Sequence, residues 1–312
     1  MAVPRAADVT RRKLDDFLER PLAEIAGPLV RAEMRDPDEI APDTRVGAYR
    51  VRHELGRGGM GVVYLAERDG RSAALKVMRR AAGLDETMLA RFRQERGILA
   101  SLEHPGIARL FDEGVLPDGR PWFAMEYVDG IPIDVYVELH RLPVAARLEL
   151  FVKVCDAVQH AHAREVIHRD IKPSNILVTT AGAPKLLDFG IAKPTSPSAT
   201  VLRTRTGQGR LTREYASPEQ LRGRRATAAS DVYALGLLLF LLLTGRHPGR
   251  AGLLERFGLT APKLGPEFPR ELSAVVAKAL RRNPSRRYAT ASELGTRIRT
   301  VILSEAKDLT GP

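Results

Sequence analysis

The stretch His168-Arg169-Asp170-Ile171-Lys172-Pro173-Ser174-Asn175, followed shortly by Asp188-Phe189-Gly190, decides how this chain is read. It sets a carboxylate, a lysine and a carboxamide on one short loop, with a second carboxylate just downstream. A carboxylate at Asp170 can accept a proton from a hydroxyl and orient the oxygen that carried it. Asn175 and Asp188 are hard oxygen ligands of the kind that suit Mg²⁺. Lys172 adds a fixed positive charge beside them. Each residue alone reads as a loop polar group, so the weight lies in the set and its order.

Upstream, Leu55-Gly56-Arg57-Gly58-Gly59-Met60-Gly61-Val62-Val63 contains G-x-G-x-x-G. Before a helix this pattern would suggest a dinucleotide site. Here a β-type run, Val62-Val63-Tyr64-Leu65-Ala66, follows, so the glycines cap a hairpin. Backbone N–H groups of such a loop can close over phosphates. An ordinary glycine hairpin has the same pattern, and the next segment weighs against it. Lys76 is the only charge in Ala73-Ala74-Leu75-Lys76-Val77-Met78, and a buried lysine is costly unless paired. The helix predicted over 85–102 carries Leu89, Phe92, Leu99 and Leu102 on one stripe, with Glu95 on the same face. That predicts a Lys76–Glu95 ion pair, with Lys76 also able to hold a ligand phosphate. In chain order, the hairpin, the lysine–acid pair, Asp170, Lys172 and the two oxygen ligands imply ATP-dependent phosphoryl transfer to a hydroxyl.

Bulk properties agree with a globular enzyme. The chain has 312 residues, 44% hydrophobic and 28% charged, enough for one large or two-lobed domain. The net charge is +11, yet residues 1–46 hold 8 Lys/Arg against 10 Asp/Glu, so the excess lies beyond them. With 5% aromatics and no basic–aromatic interleaving, the charge reads as a solvated surface and no nucleic-acid partner is expected. The single cysteine, Cys155, lies in an apolar-periodic stretch and reads as a small buried hydrophobe in a reducing compartment. A cytoplasmic location is expected, because the N-terminus lacks a signal-peptide core and the apolar run 234–243 is far short of the ~20 residues that span a bilayer. His160-x-His162 does not place two rings on one helix face, so both read as structural rather than metal-binding.

The pattern divides the chain into a leader (1–46), a catalytic domain (47–303) and a tail (304–312). The leader carries Leu14, Phe17, Leu18, Leu22 and Ile25 at helical spacing around Pro21. A docking helix and a loosely ordered leader both fit it. Strands are predicted over 49–55, 62–66, 73–78, 107–111 and 122–127, and a helix over 85–102. Helices follow over 143–164, 230–243, 271–281 and 291–303. This is an α+β bilobal architecture, with a five-stranded lobe (47–128) carrying one helix and a mostly helical lobe (129–303).

Taken together, these motifs resemble the eukaryotic-type (Hanks-type) serine/threonine protein kinases, in the branch common in bacteria. The likeness runs from about Tyr49 to Leu303. It implies a protein-kinase fold, ATP and Mg²⁺ (with Mn²⁺ as a substitute) as cofactors, and Ser/Thr-bearing proteins as substrates, this chain itself included. It also implies residue roles. Leu55, Gly56, Arg57, Gly58, Gly59, Met60 and Gly61 form the phosphate-covering loop. Met125 is the gatekeeper, Glu126 and Val128 present backbone to adenine, and Val63, Ala74 and Leu177 sandwich the ring. Lys76 and Glu95 position phosphates, Asp170 and Lys172 catalyse, and Asn175 and Asp188 hold metal. Ser217-Pro218-Glu219 replaces the usual Ala-Pro-Glu. Arg287 matches the arginine that pairs with that glutamate, and Asp231 the acid that opens the large buried helix. Thr212 would bridge Asp170 and Lys172. Leu211 departs from the usual glycine, and 247–272 is short for this region.

Two other readings share parts of the pattern. A nucleotide-binding scaffold without catalysis would tolerate gaps among Lys76, Glu95, Asp170, Asn175 and Asp188, and none is missing. A small-molecule phosphotransferase is disfavoured by Lys172-Pro173 and Ser217-Pro218-Glu219, both suited to protein substrates.

Overall fold

A computed structural model describes residues 38–58, 61–79, 102–189, 214–247 and 263–309. The unit Pro42–Pro312 opens with a sheet of six antiparallel strands. These are β1 (Arg45–Val46), β2 (Tyr49–Arg57), β3 (Gly61–Arg68), β4 (Arg71–Met78), β5 (Leu110–Val115) and β6 (Pro121–Glu126), in the order β1-β2-β3-β4-β6-β5. The alternation predicted from sequence is visible in β3 and β4. Val62, Tyr64, Ala66, Ala73, Leu75 and Val77 are buried on one face, as a half-covered sheet requires. All five predicted strands exist. The fourth is displaced from 107–111 to Leu110–Val115, and Arg45–Val46 adds a two-residue edge strand ahead of residue 47. The predicted helix 85–102, apart from Leu102, lies outside the described residues.

Beyond Glu126 a small sheet appears that the sequence pattern does not reveal. Its strands are β7 (Gly130–Pro132), β8 (Ile176–Thr179) and β9 (Pro184–Leu186). The helices are α1 (Ile133–Leu139), α2 (Val144–His162), α3 (Pro218–Leu221), α4 (Ala228–Thr244), α5 (Arg270–Ala279) and α6 (Ala291–Leu309).

α4 organises this lobe. Every residue from Ser230 to Leu243 is buried, as expected of a helix that is apolar all round. Each buried leucine contributes roughly 1.5–3 kcal/mol relative to exposure. A reciprocal capping box between Thr227 and Ser230 starts the helix. Gly245 ends it in the left-handed region (φ 68°), its N–H donating to Leu241 O at 2.7 Å. Cys155, on α2, is fully buried as predicted, and burial pushes its thiol well above the ordinary range. No helix among the described residues is long and apolar enough to cross a membrane.

Candidate active site

The upper wall of the site is the less buried face of the first sheet. Val63 lies opposite Lys76, and Ala74 opposite both Leu65 and Met125. Directly paired residues point to the same side of a sheet, so Val63, Ala74, Lys76 and Met125 share one face. β2 and β3 form the predicted hairpin, closed by Gly58 N–H donating to Gly61 O at 2.9 Å. A side chain at Gly61 would meet Val77 O at 2.5 Å, so packing demands glycine there. A side chain at Gly56 would meet nothing within 4 Å. Packing therefore does not account for Gly56, and the space above it is open to a ligand. Leu55 is exposed at the rim, and Arg57 is held by Glu54 (2.6 Å). Gly59 and Met60 lie outside the described residues.

The wall ends at Glu126. Its carboxylate bonds Lys185 and the Arg109 N–H, and its own N–H donates to Arg109 O at 2.8 Å. The Glu126 side chain is thus engaged by the protein. The Glu126 amide is taken too and is not a donor for a ligand. Val128 follows, buried. Leu177, on β8, pairs with Lys185 and Pro132 in the small sheet.

The floor is the loop between α2 and β8. Asp231, in the first turn of α4, is buried and accepts from His168 N–H (2.8 Å), Arg169 N–H (2.9 Å) and His162 Nε2 (2.8 Å). Arg169 stands in the left-handed region at φ 67°, as does Asp188 at φ 49°. Such conformations persist only where surroundings hold them, and they gather at functional sites. His168 joins the two: its Nε2–H donates to Leu187 O (2.9 Å), and its ring stacks on Phe189 at 4.7 Å between centroids.

Asp170 sits at the centre. Its Oδ2 is 3.0 Å from Lys172 Nζ and 3.3 Å from Asn175 Nδ2, which also donates to Asp170 O. With its nitrogen engaged there, Asn175 has its carbonyl oxygen left as a hard ligand. Leu187 N–H donates to Asn175 O at 2.8 Å, which brings the Asp188 segment alongside. Asp188 Oδ2 bonds Lys76 Nζ at 2.6 Å, 112 residues away in sequence. The expected partner of Lys76, Glu95, lies outside the described residues, as do Gly190 and Thr212. Among the described residues, no group of three or more His, Cys, Asp or Glu is arranged to hold a metal ion by itself. One oxygen each from Asn175 and Asp188 is a sparse set, which suits Mg²⁺ completing its shell from waters and substrate phosphates.

Beneath the floor, Arg287 donates to Glu219 through two bonds, 2.7 and 2.8 Å, as the resemblance implies. Burial alone would raise the Glu219 pKa. Bonds from Arg287, the backbone and Ser230, with the Arg287 charge, overcome it and hold the carboxyl at about 2. Gln220 is a residue that the sequence pattern does not single out. Its Nε2 donates to Arg169 O (3.1 Å), and its Oε1 accepts from Ser217 N–H (2.9 Å). The S-x-x-Q spacing of a capping box is the available signal. His162 is structural, as expected, and its partner Asp231 is the loop's anchor. His160 stacks on His104 at 4.9 Å, away from the floor.

Asp170 with Lys172 and Asn175 against it, the Lys76–Asp188 pair and a glycine hairpin form an arrangement that suits phosphoryl transfer. The match to known families agrees: residues 49–296 fit the protein kinase domain. A probable serine/threonine-protein kinase PknB of Lactococcus lactis is 38% identical over 81% of this chain. The serine/threonine-protein kinase PrkC of Bacillus subtilis is 37% identical, also over 81%. The chain spans 42% and 40% of those two proteins. The PknI kinase domain of Mycobacterium tuberculosis superposes with a TM-score of 0.67 at 31% identity, covering 84% of this chain and 98% of that domain. This chain belongs to the protein kinase family, on the serine/threonine side.

Proposed function

We propose that this chain is a catalytically active serine/threonine protein kinase, transferring the γ-phosphoryl group of ATP to Ser or Thr hydroxyls of proteins. The observation that carries the reading is Asp170, its carboxylate fixed by Lys172 at 3.0 Å and Asn175 at 3.3 Å on a loop anchored to buried Asp231. Asp170 orients the acceptor hydroxyl and takes its proton as the oxygen attacks phosphorus and ADP leaves. Lys172 offsets charge on the moving phosphoryl group, and Lys76 orients the phosphates. Asn175 and Asp188 would hold Mg²⁺ (or Mn²⁺), which neutralises phosphate charge when bound. Val63, Ala74 and Leu177 enclose the adenine. The catalytic domain in this reading is 47–303, in a cytoplasmic protein, with 1–46 as a leader or docking segment. Radiolabel transfer from Mg-ATP to the chain and to a generic basic protein tests it. Absence of transfer to both would favour the scaffold reading instead.

Met125 limits the depth of the adenine pocket. Met125→Gly is expected to admit N6-bulky ATP analogues that the parent rejects, improving their kcat/KM by about tenfold or more, since each lost methylene clash is worth about 1–3 kcal/mol. Equal use of the analogues by both proteins would remove Met125 from that role.

Thr204 and Thr206 lie outside the described residues. Both stand among Arg203, Arg205 and Arg210. A phosphate there adds about −1.5 to −2 charges and can order the segment through arginine contacts. Autophosphorylation at one of them is expected to raise activity. Phosphosite mapping of the Thr204→Ala/Thr206→Ala double variant checks this: full activity with an unchanged phosphate count would refute it.

A further inference from the structure

Two arginine-rich loops lie beside the Glu219–Arg287 pair. Arg222, Arg224 and Arg225 follow α3, and Arg281, Arg282 and Arg286 follow α5. All six are exposed. The two loops are distant in sequence but fastened to one buried pair. Arg287 donates from Nε to Arg281 O (2.7 Å) and from Nη2 to Arg282 O (3.2 Å), while binding Glu219. On the other side, Arg224 N–H donates to Glu219 O at 2.9 Å. The loops therefore flank a single spot.

The sequence supplies no counter-charge there. Residues 220–230 and 280–290 contain no Asp or Glu. Among the described residues, none of the six guanidinium groups has an acidic partner. Like charges on two loops fastened to one buried pair repel one another, so an anionic partner gains a contact that the described residues do not supply. All are arginines, whose planar forks match carboxylates in bidentate fashion.

We propose that these two loops form a docking surface for an acidic segment of a protein substrate, binding apart from the Ser or Thr that is phosphorylated. This rests on the kinase reading above and adds a substrate class to it. Position favours a substrate over other anions. Arg222 follows directly from α3, whose Gln220 bonds Arg169 O beside Asp170. A segment held here is tethered close to the acceptor site, which raises the effective concentration of the hydroxyl. Nucleic acid is disfavoured because the only strongly exposed aromatic among the described residues is Phe111, on β5.

The test uses the full chain and two readouts. One is fluorescence anisotropy of a labelled oligoglutamate peptide, which needs no catalysis. The other is steady-state phosphorylation of one acceptor peptide with and without an oligoglutamate tail. The variants are Arg224→Gln/Arg225→Gln, Arg281→Gln/Arg282→Gln and the four combined, with thermal midpoints checking the fold. The tail is expected to lower KM about tenfold with kcat little changed, the sum expected of several exposed charge contacts. The advantage should shrink as salt rises, fall partly in each pair and vanish in the quadruple variant. Use of the untailed peptide should not change. A tail effect that survives the quadruple variant overturns the proposal, and so does no tail effect at all. Arginine-dependent binding of duplex DNA or phosphatidylserine vesicles, without a tail effect, overturns it in favour of that partner. Acidic-peptide binding by a chain that phosphorylates nothing would keep the surface and defeat the kinase reading. Transfer to the untailed peptide without acidic-peptide binding would do the reverse.

Discussion

Replacing Asp170 with asparagine is expected to lower kcat by about 10²–10⁴-fold, the range of a positioned general base, while Mg-ATP affinity stays near that of the parent. The substitution keeps the size and one oxygen of the side chain, so the loop should remain folded. It removes the charge that Lys172 faces at 3.0 Å and the carboxylate that can take a proton. In the proposed reading, nucleotide binding rests on groups the change leaves alone: the sheet face of Val63, Ala74 and Met125, and the Lys76–Asp188 pair. Single-turnover phosphorylation alongside calorimetric Mg-ATP titration separates the two effects. Near-parental turnover in Asp170→Asn would show that another group takes the proton.

Arg287→Met is expected to cost about 3–5 kcal/mol of stability, the typical penalty for stranding one member of a buried ion pair. Glu219 would remain enclosed with Ser230 Oγ, at 2.8 Å, as its chief side-chain partner. The pH dependence gives a sharper check than the midpoint. In the parent, Glu219 is held at about 2 against an ordinary 4.5. A depressed carboxyl stabilises the fold above its unfolded pKa. That stability is lost as pH falls from about 4.5 toward 2, on the order of 3 kcal/mol in all. In Arg287→Met only the bonds from Ser230 and the backbone still oppose burial, so the pKa rises and the loss of stability on acidification should shrink. Denaturant midpoints of both proteins between pH 3 and pH 7 check this. Parallel curves would mean that Glu219 is not the group responsible.

The floor of the cleft is the most legible part of the sequence, for a physical reason. Asp170, Lys172, Asn175 and Asp188 lie on two short segments, so their chemistry is written locally. The buried helix is equally plain, because an apolar run with a capping residue has few other fates. Features that depend on distant contacts do not show. Ile107 has the pattern of a strand start. It is buried because it meets Leu186 in an isolated parallel bridge, and the strand itself begins at Leu110 with Asp112 and Glu113 in its middle. Apolar residues report burial there, not pairing. The sheet of β7, β8 and β9 has strands of three or four residues, too short for alternation to register. The Lys76–Asp188 contact is hidden as well. Sequence gives the two residues separate tasks, and nothing local marks a bond across the cleft.

The anchoring of the catalytic loop to α4 also limits how this molecule can be switched. Two backbone amides and an imidazole hang from one carboxylate inside the most enclosed helix of the described chain. Shifting that loop would strip Asp231 of its donors and leave a buried carboxylate unpaired, which is costly to the fold. The geometry of the Asp170 loop is thus tied to the integrity of the lobe itself, since three donors on one buried carboxylate leave it no second resting place among the described residues.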